Sequence, residues 1–503
     1  MPATRELQNS TAIFADIEAL IARFRNGHGA GEFQHWRTAS VVLLFCAATA
    51  FAATSPIYKQ LFHFSGTDGA SSNSLVQGRD GNLYGTTQGG GANSAGTVFK
   101  ITPAGTLTTL YNFCSAANCS DGVRPESGLL LATDGHFYGT TSSGGAQGTG
   151  TVFKITPAGA LTTLYSFCTA ANCSDGAIPS NPLIRGTDGN FYGTTGWDGA
   201  NNEGGTVFKI TPAGVLTTLY SFCANMCLDG GGPTGALVQG SDGNFYGTTG
   251  GGGSPASWGT AFKITPRGAL TTLHAFCVTT CTDGATPKGL TLGTDGNFYG
   301  ITASGGANQY GTAFKITSNG TLTTLYDFCS QPGCSDGIQP VGTLVEGTDG
   351  NFYGTASNGG TYGFGTIYIM TSGGALTTLH SFRDKYSGAF PYAPLVQATS
   401  GIFYGTTSQG GKGGSIFSLA VGLGPFVETV QASGKVGQTI TILGQGFTGT
   451  TKVSFNGTSS TSYTVVSDTY LKATIPIGAT TGPITVVTPG GTLTSNKPFV
   501  VKP

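Results

Sequence analysis

The sequence predicts an all-β protein: a seven-bladed β-propeller whose N-terminal strand closes the last blade, followed by an immunoglobulin-like β-sandwich. Three observations lead there. The string T-D-G-N-F-Y-G-T-T recurs with small variations, placing its tyrosine at 84, 138, 192, 246, 299, 353 and 404. Such a period of just over fifty residues marks a solenoid or a propeller. The chain holds 84 glycines in 503 residues, far above the usual roughly 7% and without the period of collagen. After residue 422 the repeat stops and the composition shifts toward Thr, Val and Ser.

Taken in chain order, residues 1–52 read as a signal peptide. Val41–Ala50 is apolar but too short to span a membrane. Ala50-Phe51-Ala52 supplies the small residues of a cleavage site. The preceding stretch is long for an n-region, and Ile13, Ile17, Leu20, Ile21 and Phe24 form an amphipathic face. A misassigned start codon accounts for it. Phe45 before Cys46 argues against lipidation, because a small residue is expected there. Residues 499–503 carry no hydrophobic tail, so no transmembrane segment is expected after cleavage.

Residues 57–422 form the propeller. In the second copy, strand a is expected at 129–133, b at 137–142, c at 151–156 and d at 161–167. Alternating β-branched and aromatic residues give c and d. Asp-Gly joins a to b, and Thr-Pro-Ala-Gly joins c to d; both are tight-turn signals. The seventh copy ends at Ala420 with no strand d, while 59–64 matches that strand at the start of the chain. The first strand can thus complete the last blade and remove both sheet edges. Residues 425–502 show short alternating strands broken by turn residues, the pattern of a sandwich.

The two recurring strings, D-G-N-F-Y-G-T-T and G-T-V-F-K-I-T-P-x-G-x-L-T-T-L-Y-S-F, resemble the bacterial GloVer (Gloeo/Verruco-type) tandem repeat over residues 57–420. That resemblance implies secreted proteins with varied anchors and no established activity. Residues 425–502 resemble the IPT/TIG domain, an immunoglobulin-like module used as an accessory or spacer. Neither assigns chemistry.

Apart from Cys46, the cysteines pair by position: Cys114 with Cys119, Cys168 with Cys173, Cys223 with Cys227, Cys277 with Cys281, and Cys329 with Cys334. Export and even pairing predict five local disulfides, whereas metal ligation would need a second pair nearby. Twelve aspartates fall on repeated turn positions and are expected to bond their own backbone. Calcium at these turns would need several oxygens converging on one ion. His63, His136, His274 and His380 also occupy repeat positions, which makes them structural.

In a propeller the a–b and c–d turns share one face, and the b–c and d–a loops share the other. The second face is the expected carrier of function. Its b–c loops hold Trp197, Trp258, Tyr310, Tyr362 and Phe364 in four consecutive copies. These are candidate ligand-binding residues, since aromatic platforms suit sugars or a protein partner. Rings packed over glycines are the plain alternative. Net charge is −1, which gives no footprint for nucleic acid. The expected protein is secreted or at the cell surface, non-catalytic and monomeric, without a cofactor or resident metal, and takes a polysaccharide or an extracellular protein as partner. A carbohydrate-active hydrolase or lyase using Asp198 and Glu203 is the competing reading. A passive extracellular structural protein is the third.

Overall fold

The computed structural model describes residues 55–502 apart from 202–203, 225, 254–257 and 387. The expected signal peptide and Cys46 lie outside the described residues. Seven antiparallel blades occupy residues 57–420, each with four strands in radial order; in the first and last, strand a is broken in two. Blade two shows the unit: Leu130–Leu131, Phe137–Thr141, Thr151–Ile155 and Leu161–Ser166. Strands b to d match expectation to within a residue at each end. Strand a is shorter, because the Ala132 amide already donates to the His136 carbonyl and closes the turn.

The repeated Phe-Tyr dipeptide binds each blade to both neighbours. Adjacent residues of a strand face opposite sides of the sheet. Phe137 therefore reaches back to Tyr84 of blade one, at 4.2 Å between ring centroids, while Tyr138 reaches forward to Phe191 of blade three, also at 4.2 Å. The glycine that follows is required by close approach. A methyl group on Gly139 would lie 2.6 Å from the Phe153 ring. The aspartate of the a–b turn completes the motif: Asp134 accepts the Tyr138 hydroxyl at 2.8 Å and the His136 amide at 3.0 Å. Burial and that carboxylate together raise the Tyr138 pKa.

A second ring of contacts runs farther out. The phenylalanine that ends strand d stands edge-on to the strand c ring of the next blade, as Phe113 does to Phe153 at 5.2 Å. Ile57–His63 closes the circle by pairing antiparallel with Ser415–Ala420, from Ile57↔Ala420 to His63↔Ser415. Its bulge between Gln60 and Phe62 repeats the bulge of strand d in the other blades. Phe64 then packs on Phe99 at 5.5 Å, so the seam has the same contact as every other boundary.

The C-terminal module is a sandwich of two four-stranded sheets around Val427, Ile440, Phe447, Val453, Leu471 and Ile484. It belongs with the propeller to one compact unit, Pro56–Pro503. The module rests on the a–b turns. The Thr469 hydroxyl donates to the Arg79 carbonyl at 2.7 Å, and the Arg79 guanidinium lies 4.9 Å from the centre of the Tyr470 ring. The Phe426 amide donates to Thr399 of blade seven, and Lys502 Nζ to the Thr187 carbonyl of blade three at 2.6 Å. One propeller face is thus partly covered, and the b–c and d–a loops lie on the other.

Candidate ligand-binding face

Each b–c loop ends in a glycine with left-handed φ, and the residue before it is tied to the next blade. The Trp258 carbonyl accepts the Thr286 amide at 2.9 Å, that of Tyr310 accepts Gln339 at 3.0 Å, and that of Phe364 accepts Phe390 at 2.9 Å. Trp197 sits elsewhere in its loop, paired through both backbone groups with Ala177. Gly150 shows why glycine follows: its φ is +110°, and a methyl there would meet the Thr141 carbonyl at 2.3 Å. The side chains therefore project from a fixed backbone.

Four of the five candidate rings are open to solvent: Trp197 is 52% exposed, Trp258 42%, Tyr310 41% and Tyr362 46%. Phe364 is partly buried and stands edge-on to Phe390 at 5.7 Å. It is a packing residue. The d–a loops add Met226, Val278 and Tyr386, and the break in strand a of blade seven adds Tyr392, all exposed, which the repeat pattern did not single out. Among the described residues, no large exposed hydrophobic stands on the corresponding loops of blades one and two. The apolar surface is therefore confined to the sector from blade three to blade seven.

The d–a loops are braced by the five expected disulfides, Cys114–Cys119, Cys168–Cys173, Cys223–Cys227, Cys277–Cys281 and Cys329–Cys334. All ten cysteines hold left-handed φ between 51° and 62°, a conformation costly for residues other than glycine. Titration of the unreduced, denatured protein should find no free thiol among these ten. The aspartate two residues after each pair does more than form a turn. Asp121 accepts the Tyr111 hydroxyl at 2.8 Å and the amides of Ser115 and Ala116 at 3.0 and 3.2 Å. Asp283 instead meets His274 Nε2 at 2.8 Å. Calcium would have to displace these donors, so adding EDTA should leave the melting temperature unchanged. Among the described residues, no three His, Cys, Asp or Glu side chains are grouped to hold a metal.

Asp198 has a left-handed φ of 58°, and its carbonyl accepts the Gly205 amide at 2.9 Å. Glu203, its expected partner in an acid–base pair, lies outside the described residues. Other carboxylates that break the repeat are engaged in structure. Glu126 pairs with Arg124 at 2.9 Å, and Glu346 accepts the Thr294 amide and hydroxyl. Among the described residues no helix is long and apolar enough to cross a membrane.

Comparison with solved structures gives the fold alone. A fungal alcohol oxidase of the AA5 family, solved with copper, is 12% identical with a TM-score of 0.51, over 90% of this chain and 100% of that one. The extracellular domain of a Bacteroides thetaiotaomicron hybrid two-component system is also 12% identical, with a TM-score of 0.47. That match covers 84% of this chain and only 52% of the other, about half its length. No curated protein sequence matches. Residues 425–501 match the IPT/TIG domain. Residues 46–254 and 225–417 each match the Gloeobacter/Verrucomicrobia repeat, and the chain belongs to that family.

Proposed function

We propose that this protein is an exported, non-catalytic binding protein that engages a polysaccharide through its b–c and d–a loop face. The observation that supports this reading is the exposure of Trp197, Trp258, Tyr310 and Tyr362 on pinned loops of four consecutive blades. Large rings held in place lose little conformational freedom on binding, and they offer apolar area to the C–H face of a sugar. The C-terminal module leaves that face free by docking on the other. Five disulfides fit an oxidising compartment.

A glycan array followed by calorimetry on the mature protein tests the reading. Trp258→Ala and Tyr310→Ala should each weaken binding by about tenfold, as truncation of an anchoring aromatic does. Their melting temperatures should stay at the parent value, because both rings are exposed. A silent array, or binding indifferent to both substitutions, would overturn the proposal.

A further inference from the structure

Blade six breaks the repeat. Its d–a loop, which leads into blade seven, has no cysteine pair and no aspartate two residues beyond one; it reads Arg383-Asp384-Lys385-Tyr386 instead. In a chain that is only 9% charged, three successive charged residues stand out. Beside them lies an open groove of about 520 Å³, lined by Tyr362, Thr361, Ser335, Thr378, Ser381 and Arg383. Arg383 Nη2 donates to the Tyr362 hydroxyl at 3.2 Å, and the guanidinium lies 5.2 Å from the ring centre. Lys385 Nζ lies 5.5 Å from the ring of Tyr386, which is 76% exposed. Among the described residues, no carboxylate forms an ion pair with Arg383 or Lys385.

We propose that this groove binds the carboxylate-bearing sugars of an acidic polysaccharide, with Arg383 gripping a uronate and Tyr362 presenting a ring to the sugar. The inference rests on the reading of the loop face as a glycan-binding surface and assigns its charge preference. The chemistry follows from the groups present. A guanidinium already held by an aromatic ring is pre-oriented and presents a planar fork that a carboxylate matches with two parallel hydrogen bonds. Several hydroxyls along the groove suit sugar hydroxyls. A flat apolar protein partner would cover the guanidinium, whose one protein acceptor among the described residues is the Tyr362 hydroxyl, and leave its remaining N–H groups without acceptors, which costs binding energy.

The experiment is calorimetric titration of the full mature protein with tetragalacturonate, alongside a neutral tetrasaccharide and tetraglutamate of matched charge. Tetragalacturonate should bind, and binding should weaken severalfold when salt is raised to about 0.5 M, as exposed charge pairs are screened. Arg383→Ala should weaken it by at least about tenfold, and Arg383→Lys by less, since a point charge replaces the fork but not the attraction. Both variants should keep the parental melting temperature, because Arg383 is exposed. Binding of tetragalacturonate unaffected by Arg383→Ala would overturn the inference, as would equal binding of tetraglutamate. Binding of the neutral sugar alone, sensitive to Trp258→Ala, would overturn the inference while leaving the general glycan reading intact. No binding to any sugar would defeat both.

Discussion

Replacing Phe64 with alanine should cost the propeller about 3–5 kcal/mol, the range for removing a buried phenylalanine from a packed core. Phe64 is fully buried, edge-on to Phe99 of blade one and 5.3 Å from Phe62. The same contact exists at each other boundary, so the equivalent Phe113→Ala should open a comparable cavity. The two variants should nonetheless differ. At an internal boundary strand d is also joined by a tight turn to strand c of its own blade. At the seam that turn is missing, and Ile57–His63 meets its strand c, Ser415–Ala420, only through ladder pairing and side-chain packing. Loss of Phe64 should therefore loosen the strand as well as the core. Urea unfolding would show a similar drop for both variants, while limited trypsin digestion would cut after Lys59 faster in Phe64→Ala alone. Equal cleavage in the two would mean that hydrogen bonding, not this ring, holds the seam.

The propeller was legible because its information is repeated. Seven copies of one string fix the blade count, and the missing strand d of the last copy fixes how the ring closes. The sandwich was legible from alternation alone. What could not be read were contacts that occur once. Nothing in the spacing of Arg79, Thr469 and Tyr470 says that the C-terminal module turns back onto blade one, since they lie about 390 residues apart. Burial within loops was equally silent. Tyr362 and Phe364 stand two residues apart in one glycine-rich loop, yet one is exposed and the other packs on Phe390. Phe390 belongs to the next repeat, and its own left-handed φ of 54° sets where its ring stands. Loop conformation decides such cases, and loops carry no hydrophobic period.

The d–a aspartates mark an intermediate case. Their role as turn formers followed from the Asp-Gly pair, but their grip on the strand d tyrosine did not, because the partners lie nine or ten residues apart across a disulfide loop. With hindsight the signal was there: every copy with the cysteine pair also has Tyr or His on strand d two residues before the phenylalanine. Blade six has the His without the loop, so its imidazole must be satisfied differently.

That imidazole should make the ring sensitive to acid. His380 lies flat against Tyr58 of the N-terminal strand, at 3.9 Å between centroids and 6° between planes, with Phe382 edge-on at 5.0 Å. Its cross-strand neighbour is Ile367, and among the described residues no carboxylate takes the place that Asp283 has beside His274. Burial among these groups disfavours the charged form and pushes the His380 pKa down to about 4. The unfolded chain titrates near 6.5. The folded form therefore binds a proton less readily than the unfolded one, so its stability is complete above pH 6.5 and declines as the pH falls through 4. Full burial would make this loss about 3 kcal/mol; partial exposure of the ring reduces it to the order of 1–2 kcal/mol. Melting temperatures measured between pH 7 and pH 4 should fall less steeply in His380→Phe than in the parent, and below pH 4 the two curves should run parallel. Parallel curves across the whole range would mean that His380 is wetted in solution and that the seam is no weaker in acid than any other boundary.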